Sequence, residues 1–368
     1  HGVFGRRVRG LLHVWTIPGG GSVSAQYVRP LDLKRGRVDL SHGAGGRAMA
    51  QLIKDLFARE LHNEYLAQGD DGARLDNLAG RIVVSTDAHV VSPLFFPGGD
   101  IGSLSVNGTI NDLAVMGARP LYLAVSFILE EGFSLAELAR IVASMAAASR
   151  AAGVPVVTGD TKVVERGKGD GVYITTTGVG VVREGIDCSG SRARPGDAIL
   201  LSGTIGDHGM AIMSVRENLS FDAPIVSDSA PLHEMIAMLL DEVPEVRVMR
   251  DATRGGLGTT LNEIARQSGV GMVIDESSIP VRPPVQAACE LLGLDPLYVA
   301  NEGKIVVICP PESAERAVAA MRSHPLGADA VRIGEVRADE RNFIQMRTAL
   351  GGGRIVDWLS GEQLPRIC

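Results

Sequence analysis

Four aspartates in this chain share one setting: each falls where an apolar segment ends or breaks beside small or polar residues. They are Asp87 in STDAHV, Asp112 in INDLAVMG, Asp160 in VTGDTKVV and Asp251 in MRDATRGGL. A carboxylate buried without a partner is costly, so these positions are not ordinary core. Several carboxylates converging on one cleft would suit Mg2+, a hard cation that prefers oxygen ligands and often bridges to nucleotide phosphates. Taken singly, each reads more readily as a helix cap or turn residue; four in the same setting point to a metal–phosphate site. The run Ser41-His42-Gly43-Ala44-Gly45-Gly46-Arg47 could cradle phosphate on backbone N–H groups at a helix N-terminus. Alone it matches neither the Walker pattern nor the dinucleotide fingerprint, and a tight entry turn explains it equally well. Lys162 stands two residues after Asp160, with Thr161 between them, and Glu302 lies in Ala300-Asn301-Glu302-Gly303-Lys304. Either charge alone reads as plain surface, but both flank segment ends rich in glycine and ligand-type residues. The chain ends Pro365-Arg366-Ile367-Cys368, which puts a thiol on terminal backbone, usually the most mobile part of a fold. A frayed end and a travelling nucleophile fit that position equally. Pro365 forbids helix up to the end, and Gly351-Gly352-Gly353 offers a flexible base for a tail.

The elements that must position these groups can be read from periodicity. Met49, Leu52, Ile53, Leu56 and Phe57 follow the core-facing stripe of a helix after the glycine loop. Residues 81–91 read as a buried strand, and 103–116 as an apolar helix broken by Asn111-Asp112. Ser134 with Glu137 three residues on forms a capping box for the next helix. Val154–Val157 is a strand ending in Thr158-Gly159-Asp160, and 172–182 is another. The pattern restarts near Gly185–Gly196: strand 198–202, helices at about 209–218 and 230–241, strand 304–309, helix 312–322 and strand 329–336. Strands and helices are mixed without strict βαβ repetition, which predicts two α+β domains joined near residue 184. The expected division is a poorly ordered basic extension over 1–37, an N-terminal domain over 38–184, a C-terminal domain over 185–345 and a mobile tail over 346–368.

Bulk composition bounds the function. With 368 residues, 45% hydrophobic and 21% charged, the chain has ample core for two domains. A formal net charge of −7 gives no sign of a nucleic-acid or anionic-membrane partner. Forty-five glycines against 4% aromatics favour tight turns and close backbone approaches over stacking surfaces. Four scattered cysteines (Cys188, Cys289, Cys309, Cys368) form neither a CxxC pair nor a disulfide framework, as expected in a reducing cytoplasm. No apolar run reaches the roughly 18 residues needed to span a bilayer. Residues 1–37 hold seven Lys/Arg against the single acid Asp32, and their apolar centre is too short for a signal peptide.

From about Val38 to Cys368 the chain resembles the HypE family of hydrogenase maturation factors, within the AIR synthetase-like (PurM-like) ATP-binding superfamily. The stretches that carry the resemblance are SHGAGGR, STDAHVVSPLFFPGGDIG, TINDLAVMGARPLY, FILEEG, VTGDTKVVERG, LSGTIGDHG, RDATRGGL, ANEGK, SHPLG and terminal PRIC. The resemblance implies a two-domain AIR synthetase-like fold with a flexible C-terminal tail. It also implies a reaction in which a carbamoyl group, delivered by the carbamoyltransferase HypF, is held as a thiocarbamate on Cys368. ATP, with Mg2+, then drives dehydration to a thiocyanate, and the nitrile carbon passes to iron on a HypC–HypD scaffold to become cyanide in nickel–iron hydrogenase. Phosphorylation turns the poorly leaving amide oxygen into phosphate, and a base strips protons from nitrogen as the C≡N bond forms. Mg2+ offsets phosphate charge, leaving the protein positioning and electrostatics.

By this resemblance Glu302 is the base and Lys162 its electrostatic partner or a phosphate contact. Asp87, Asp112 and Asp251 match the superfamily's metal–nucleotide aspartates, with Asp160 a fourth. Asn111, Thr161 and the glycines Gly43, Gly45 and Gly46 belong to the nucleotide site. The family pattern also implies a homodimer that pairs edge strands of two N-terminal domains into a shared barrel. The residues before the SHGAGG loop depart from the pattern.

Two rivals differ at particular residues. A selenophosphate synthetase-like enzyme carries a reactive Cys or selenocysteine in its N-terminal glycine loop, whereas no Cys precedes Cys188 here. AIR synthetase or thiamine-phosphate kinase would share the aspartates but has no use for the terminal thiol. A non-catalytic carrier with a docking tail is separated from an enzyme by ATP turnover. The α-carboxylate beside Cys368 should raise its thiol pKa in solvent, whereas Arg366 and Lys162 should lower it once the tail docks, making docked Cys368 the better nucleophile.

Overall fold

The computed structural model describes residues 31–219, 221, 223–359, 364 and 366–368. The expected extension over residues 1–30 lies outside these. Residues 31–37 are ordered, contrary to expectation: the Asp32 carboxylate accepts from the Lys34 and Arg35 N–H groups, and Arg37 donates to the Gly132 carbonyl.

Strands β1 (Ile82–His89), β2 (Ala118–Glu130), β3 (Val156–Val164) and β4 (Val172–Val182) form a first sheet in the order β1-β4-β2-β3. All pairs are antiparallel except β2–β3, which is parallel. A parallel pair needs a crossover, here the helix Leu135–Ala152, capped by Ser134. One face of the sheet buries the alternating apolar residues Leu123, Val125, Phe127 and Leu129 against helices Ile101–Val115 (α1) and Leu135–Ala152 (α2). The other face is open, with Ile82 55% and Val84 63% exposed. β3 runs on through Thr158-Gly159-Asp160, where the sequence pattern suggests a strand end. Gly159 permits this, because a Cβ there would come within 2.7 Å of the Val125 carbonyl of β2.

α1 is buried on nearly every side and packs against β1, β2, β4 and α2. The expected break at Asn111-Asp112 does not occur. Both side chains are satisfied from other elements, so neither competes for the helix backbone.

A second, seven-stranded sheet comprises β5 (Ala198–Leu201), β6 (Val248–Asp251), β7 (Gly271–Asp275), β8 (Ile305–Cys309), β9 (Val331–Arg337), β10 (Ile344–Arg347) and β11 (Gly353–Ile355), in the order β11-β10-β7-β9-β5-β8-β6. β5 and β8, the apolar runs AILL and IVVIC, are buried throughout because helices cover both faces. One face carries helices His233–Glu242 and Ala314–Arg322; the other carries Gly256–Ser268. Two helices, Asp207–Arg216 (α3) and Pro283–Leu292, pack together beside this sheet.

The segment expected to begin a mobile tail at residue 346 is instead part of this sheet. Ile344 and Met346 are buried, and β10 lies parallel to β7. Gly351–Gly353 forms the β10–β11 turn, with Gly351 at φ +84° and the Thr348 N–H donating to the Gly352 carbonyl. The glycines serve a hairpin turn, not a hinge.

Candidate active site

The aspartates Asp87, Asp112 and Asp251 come together where α1 meets the ends of β1 and β6. α1 lies across β1, so that Ser85 Oγ donates to Asp112 at 2.5 Å and Thr109 Oγ1 to Asp87 at 3.2 Å. Gly108 allows the close approach: a Cβ there would sit 3.3 Å from the His89 ring and 3.6 Å from the Asp87 carboxylate. Asp251 ends β6, opposite Ile305 of β8. Burial raises the pKa of Asp87, against its Thr109 hydrogen bond and the Arg254 charge. Burial and the Asp87 charge push Asp112 to about 6; burial and the Asp112 charge push Asp251 to about 7. Three mutually repelling carboxylates are held in one place.

Glu302 enters from the loop before β8. Its backbone is fixed on two sides: the Asn111 amide donates to its carbonyl at 3.1 Å, and its own N–H donates to Asp228 Oδ1 at 3.0 Å. The second Asp228 oxygen holds Lys304 Nζ at 3.2 Å. Asn111 serves this clamp, donating also to Ala230 O and accepting from Leu232 N–H. Glu302 is 4% exposed, and its Oε1 has no hydrogen-bond partner among the described residues. Burial, then the charges of Asp228, Asp251 and Asp87, raise its pKa well above the usual carboxylate range, with Arg254 opposing. An orphaned, buried, proton-hungry carboxylate is the unusual feature here.

The C-terminus fills the space beside it. Val90 N–H donates to the main-chain oxygen of Cys368 at 3.0 Å, and Ser92 N–H to that of Arg366 at 3.1 Å. Ile367 is 4% exposed and packs into the first-domain core. The Arg366 side chain pairs with Asp170. Docked in this way, the Cys368 thiol is pushed up to about 12 by burial, then by Glu302, with only Arg254 pulling the other way. Within one chain docking shifts the thiol upward, the opposite direction from the expectation. Within one chain neither Arg366 nor Lys162 lies against it: Arg366 pairs with Asp170 and Lys162 with Asp160. Burial and the Glu302 charge favour the protonated thiol in the docked tail.

Lys162 and Asp160 do not join this cluster within one chain. They project from the open face of β3 and pair with each other at 3.1 Å, 61% and 55% exposed. Thr161 points the opposite way into the core. Gly43 packs against the same strand, where a Cβ would lie 2.6 Å from the Val163 nitrogen, whereas Gly45 and Gly46 face open space. The residues that sequence reasoning missed are Arg254, Lys304, Asp228 and His208. The first two lie inside the RDATRGGL and ANEGK stretches and His208 inside LSGTIGDHG, so proximity to a flagged motif was a usable signal. Asp228, in the loop after Val226, had none. Among the described residues, no three His, Cys, Asp or Glu side chains stand close enough to enclose a metal ion unaided.

Residues 69–182 match the family described as AIR synthase related protein, N-terminal domain, and residues 194–347 its C-terminal domain. The chain is 69% identical over 349 residues to carbamoyl dehydratase HypE of Cupriavidus necator, covering 95% of this chain and 99% of that one. A crystal structure of hydrogenase maturation protein HypE in complex with ATP superposes with a TM-score of 0.87 at 52% identity, covering 89% of this chain and 99% of that one. A HypE–HypF complex gives a TM-score of 0.74 at 49% identity, covering 84% and 99%.

Proposed function

This chain belongs to the AIR synthase related proteins and, within them, to the carbamoyl dehydratases HypE; from that premise we propose how its residues divide the work of hydrogenase maturation. The reaction is the ATP-dependent conversion of an S-carbamoyl group on Cys368 to a thiocyanate, the source of the cyanide ligands of nickel–iron hydrogenase. Phosphoryl transfer to the carbonyl oxygen releases ADP. Departure of that oxygen as phosphate, with loss of both nitrogen protons, leaves S–C≡N.

One observation carries the assignment of roles: the docked tail sets Cys368 against Glu302, whose Oε1 is buried and unpartnered. A carbamoyl NH2 on the sulfur supplies the donor that this oxygen lacks, and a carboxylate with a raised pKa is well matched to accept its protons. A docked thiol with a raised pKa fits the same order of events. Cys368 is loaded outside the cleft, by HypF, and returns bearing a neutral group that a desolvated pocket accepts.

Asp87, Asp112 and Asp251 fit Mg2+. Their mutual repulsion is relieved by a cation, and Mg2+ in nucleotide sites commonly takes one or two carboxylates plus phosphate oxygens rather than a complete protein cage. Such an ion would offset phosphate charge during transfer.

Lys162 and Asp160 reach the reaction through a second copy of the chain. β1 and β3 are the two open edges of the first sheet, and its open face is apolar at Ile82, Val84 and Ile128. Pairing β1 of one protomer with β3 of another covers this face and brings the Gly43–Gly46 loop, Asp160 and Lys162 alongside the Asp87 edge. The further partner is the HypC–HypD scaffold that takes the nitrile. Four free cysteines fit a cytoplasmic setting, and among the described residues no helix is long and apolar enough to cross a membrane.

Incubation with carbamoyl phosphate, ATP, Mg2+ and HypF should add the mass of a carbamoyl group to the terminal peptide and then remove one water. Absence of any adduct on Cys368 in intact-mass spectra would sink the reading.

A further inference from the structure

The docked tail is held by its main chain, and the contacts come from an unexpected quarter. His208 lies in the first turn of α3, in the second domain, and is completely buried. Its Nε2 is 2.8 Å from the Ile367 carbonyl oxygen, and its Nδ1 is 2.7 Å from Ser227 Oγ. A carbonyl can only accept, so Nε2 carries the proton; Nδ1 then accepts from the Ser227 hydroxyl. The imidazole ring stands edge-on to Phe96, with centroids 5.4 Å apart at 90°. These contacts fix its tautomer, height and tilt.

Arg216, at the other end of the same helix, donates to the Arg366 carbonyl at 2.9 Å and also to Ser92 O. Gly209 lets this helix sit close to Val299, whose methyl a Cβ would meet at 2.4 Å, with a Leu364 methyl next at 3.2 Å. One face of α3 is therefore shaped to the tail backbone. It meets the carbonyls of residues 366 and 367 while the first domain holds 366 and 368 through Ser92 and Val90. The Ile367 carbonyl belongs to the peptide unit that leads directly into Cys368. Whatever fixes it fixes the direction in which the sulfur leaves the backbone.

We propose that His208 is a positioning residue for the dehydration step, holding the Ile367 carbonyl so that the group carried by Cys368 lies in register with Glu302. This rests on the reading that Cys368 carries the carbamoyl group. His208 acts on the tail only when it is docked, so it contributes to the water-loss step and not to loading by the carbamoyltransferase. Misplacement of a reacting group by about an ångström costs up to about a hundredfold in rate.

The test uses full-length protein and three variants: His208→Leu, His208→Gln, whose amide can still donate to the carbonyl, and Ser227→Ala, which removes the partner of Nδ1. The first measurement is the rate at which iodoacetamide alkylates Cys368, read on the terminal peptide; Cys188, Cys289 and Cys309 are buried. His208→Leu should raise this rate at least several-fold, with His208→Gln close to the unmodified protein and Ser227→Ala between them. The second measurement is water loss from protein already carbamoylated on Cys368, on ATP addition. His208→Leu should load at the normal rate but lose water roughly ten- to a hundredfold more slowly, with His208→Gln largely rescuing it.

Equal alkylation rates in all four proteins would overturn the proposal, as would normal water loss by His208→Leu. Equal impairment of the Leu and Gln variants would do the same, by showing that only the fit of the imidazole matters. Should His208→Leu fail to fold by circular dichroism, the Ser227→Ala and His208→Gln results decide in the same terms. If the unmodified protein takes no carbamoyl group, the functional reading falls, while the alkylation rates still test the contact of His208 with the tail.

Discussion

Two Lys–Asp pairs of nearly identical length sit in this molecule and do different things. Lys162–Asp160 spans 3.1 Å on the open face of β3, with both side chains more than half exposed. Lys304–Asp228 spans 3.2 Å beneath Glu302, with the side chains 11% and 4% exposed. The first is a solvent-screened pair of small energetic consequence. The second is desolvated, and the Lys304 charge with the Glu302 N–H holds the Asp228 pKa down against the effect of burial. Distance alone does not distinguish them. What surrounds each pair decides whether it decorates a surface or fixes the loop that carries Glu302.

Four measurements separate the buried pair from the exposed one. The largest effect is expected at the group the buried pair positions. Glu302→Gln should load the carbamoyl group normally and slow its dehydration by about two to four orders of magnitude, read as accumulation of the carbamoyl mass. Dehydration at the normal rate would remove Glu302 as base. Next, Asp228→Ala leaves Lys304 buried without a counter-charge and should destabilise the protein by about 3–5 kcal/mol in urea unfolding. A change near zero would mean that the pair is not desolvated in solution.

A pH effect comes third. Burial lowers the His208 pKa below its ordinary value of 6.5, against the opposing pull of the Asp228 charge and the Ile367 carbonyl. A state that keeps His208 neutral is fully stable above about 6.5 and loses ground as pH falls through and below that value, where the open state binds more protons. Protection of Cys368 from alkylation, normalised to a free peptide ending in Pro-Arg-Ile-Cys at the same pH, should therefore weaken below about 6.5; constant protection down to pH 5 would contradict this. Smallest of all, Lys162→Ala should change monomer stability by about 0–1 kcal/mol. If dehydration is also unchanged, the proposed role of Lys162 across a protomer interface is lost, and the exposed pair is surface charge only.

Much of the chemistry is legible in the order of residues. Asp87, Asp112, Asp251, Glu302 and Cys368 stand in one cleft, and their segments can be found from local pattern alone. β4 runs over Val172–Val182, as the alternating residues require, and AILL and IVVIC read as buried strands. Other readings fail for identifiable reasons. Asn111-Asp112 looks like a helix break because its partners, Ser85, Ala230, Leu232 and Glu302, come from other parts of the chain. Gly351–Gly353 looks like a hinge because the strand that β10 joins, β7, lies some 70 residues earlier. Lys162 stands out over Lys304 because it follows an aspartate in sequence, whereas Asp228 reaches Lys304 only through folding.

The sequence by itself determined the residue types, the local elements and the family, since composition, periodicity and motif spacing are properties of the chain. The tertiary structure alone decided which lysine is buried with its aspartate, which face of β3 carries Lys162, and which histidine meets the tail. It also turned the expected shift of the docked Cys368 thiol from downward to upward, to about 12. The physical reason is common to all four. Desolvation and charge coupling depend on what lies within a few ångströms, and in this cleft those neighbours come from β1, α1, α3, β6, the loop before β8 and the last three residues, elements that only folding brings together.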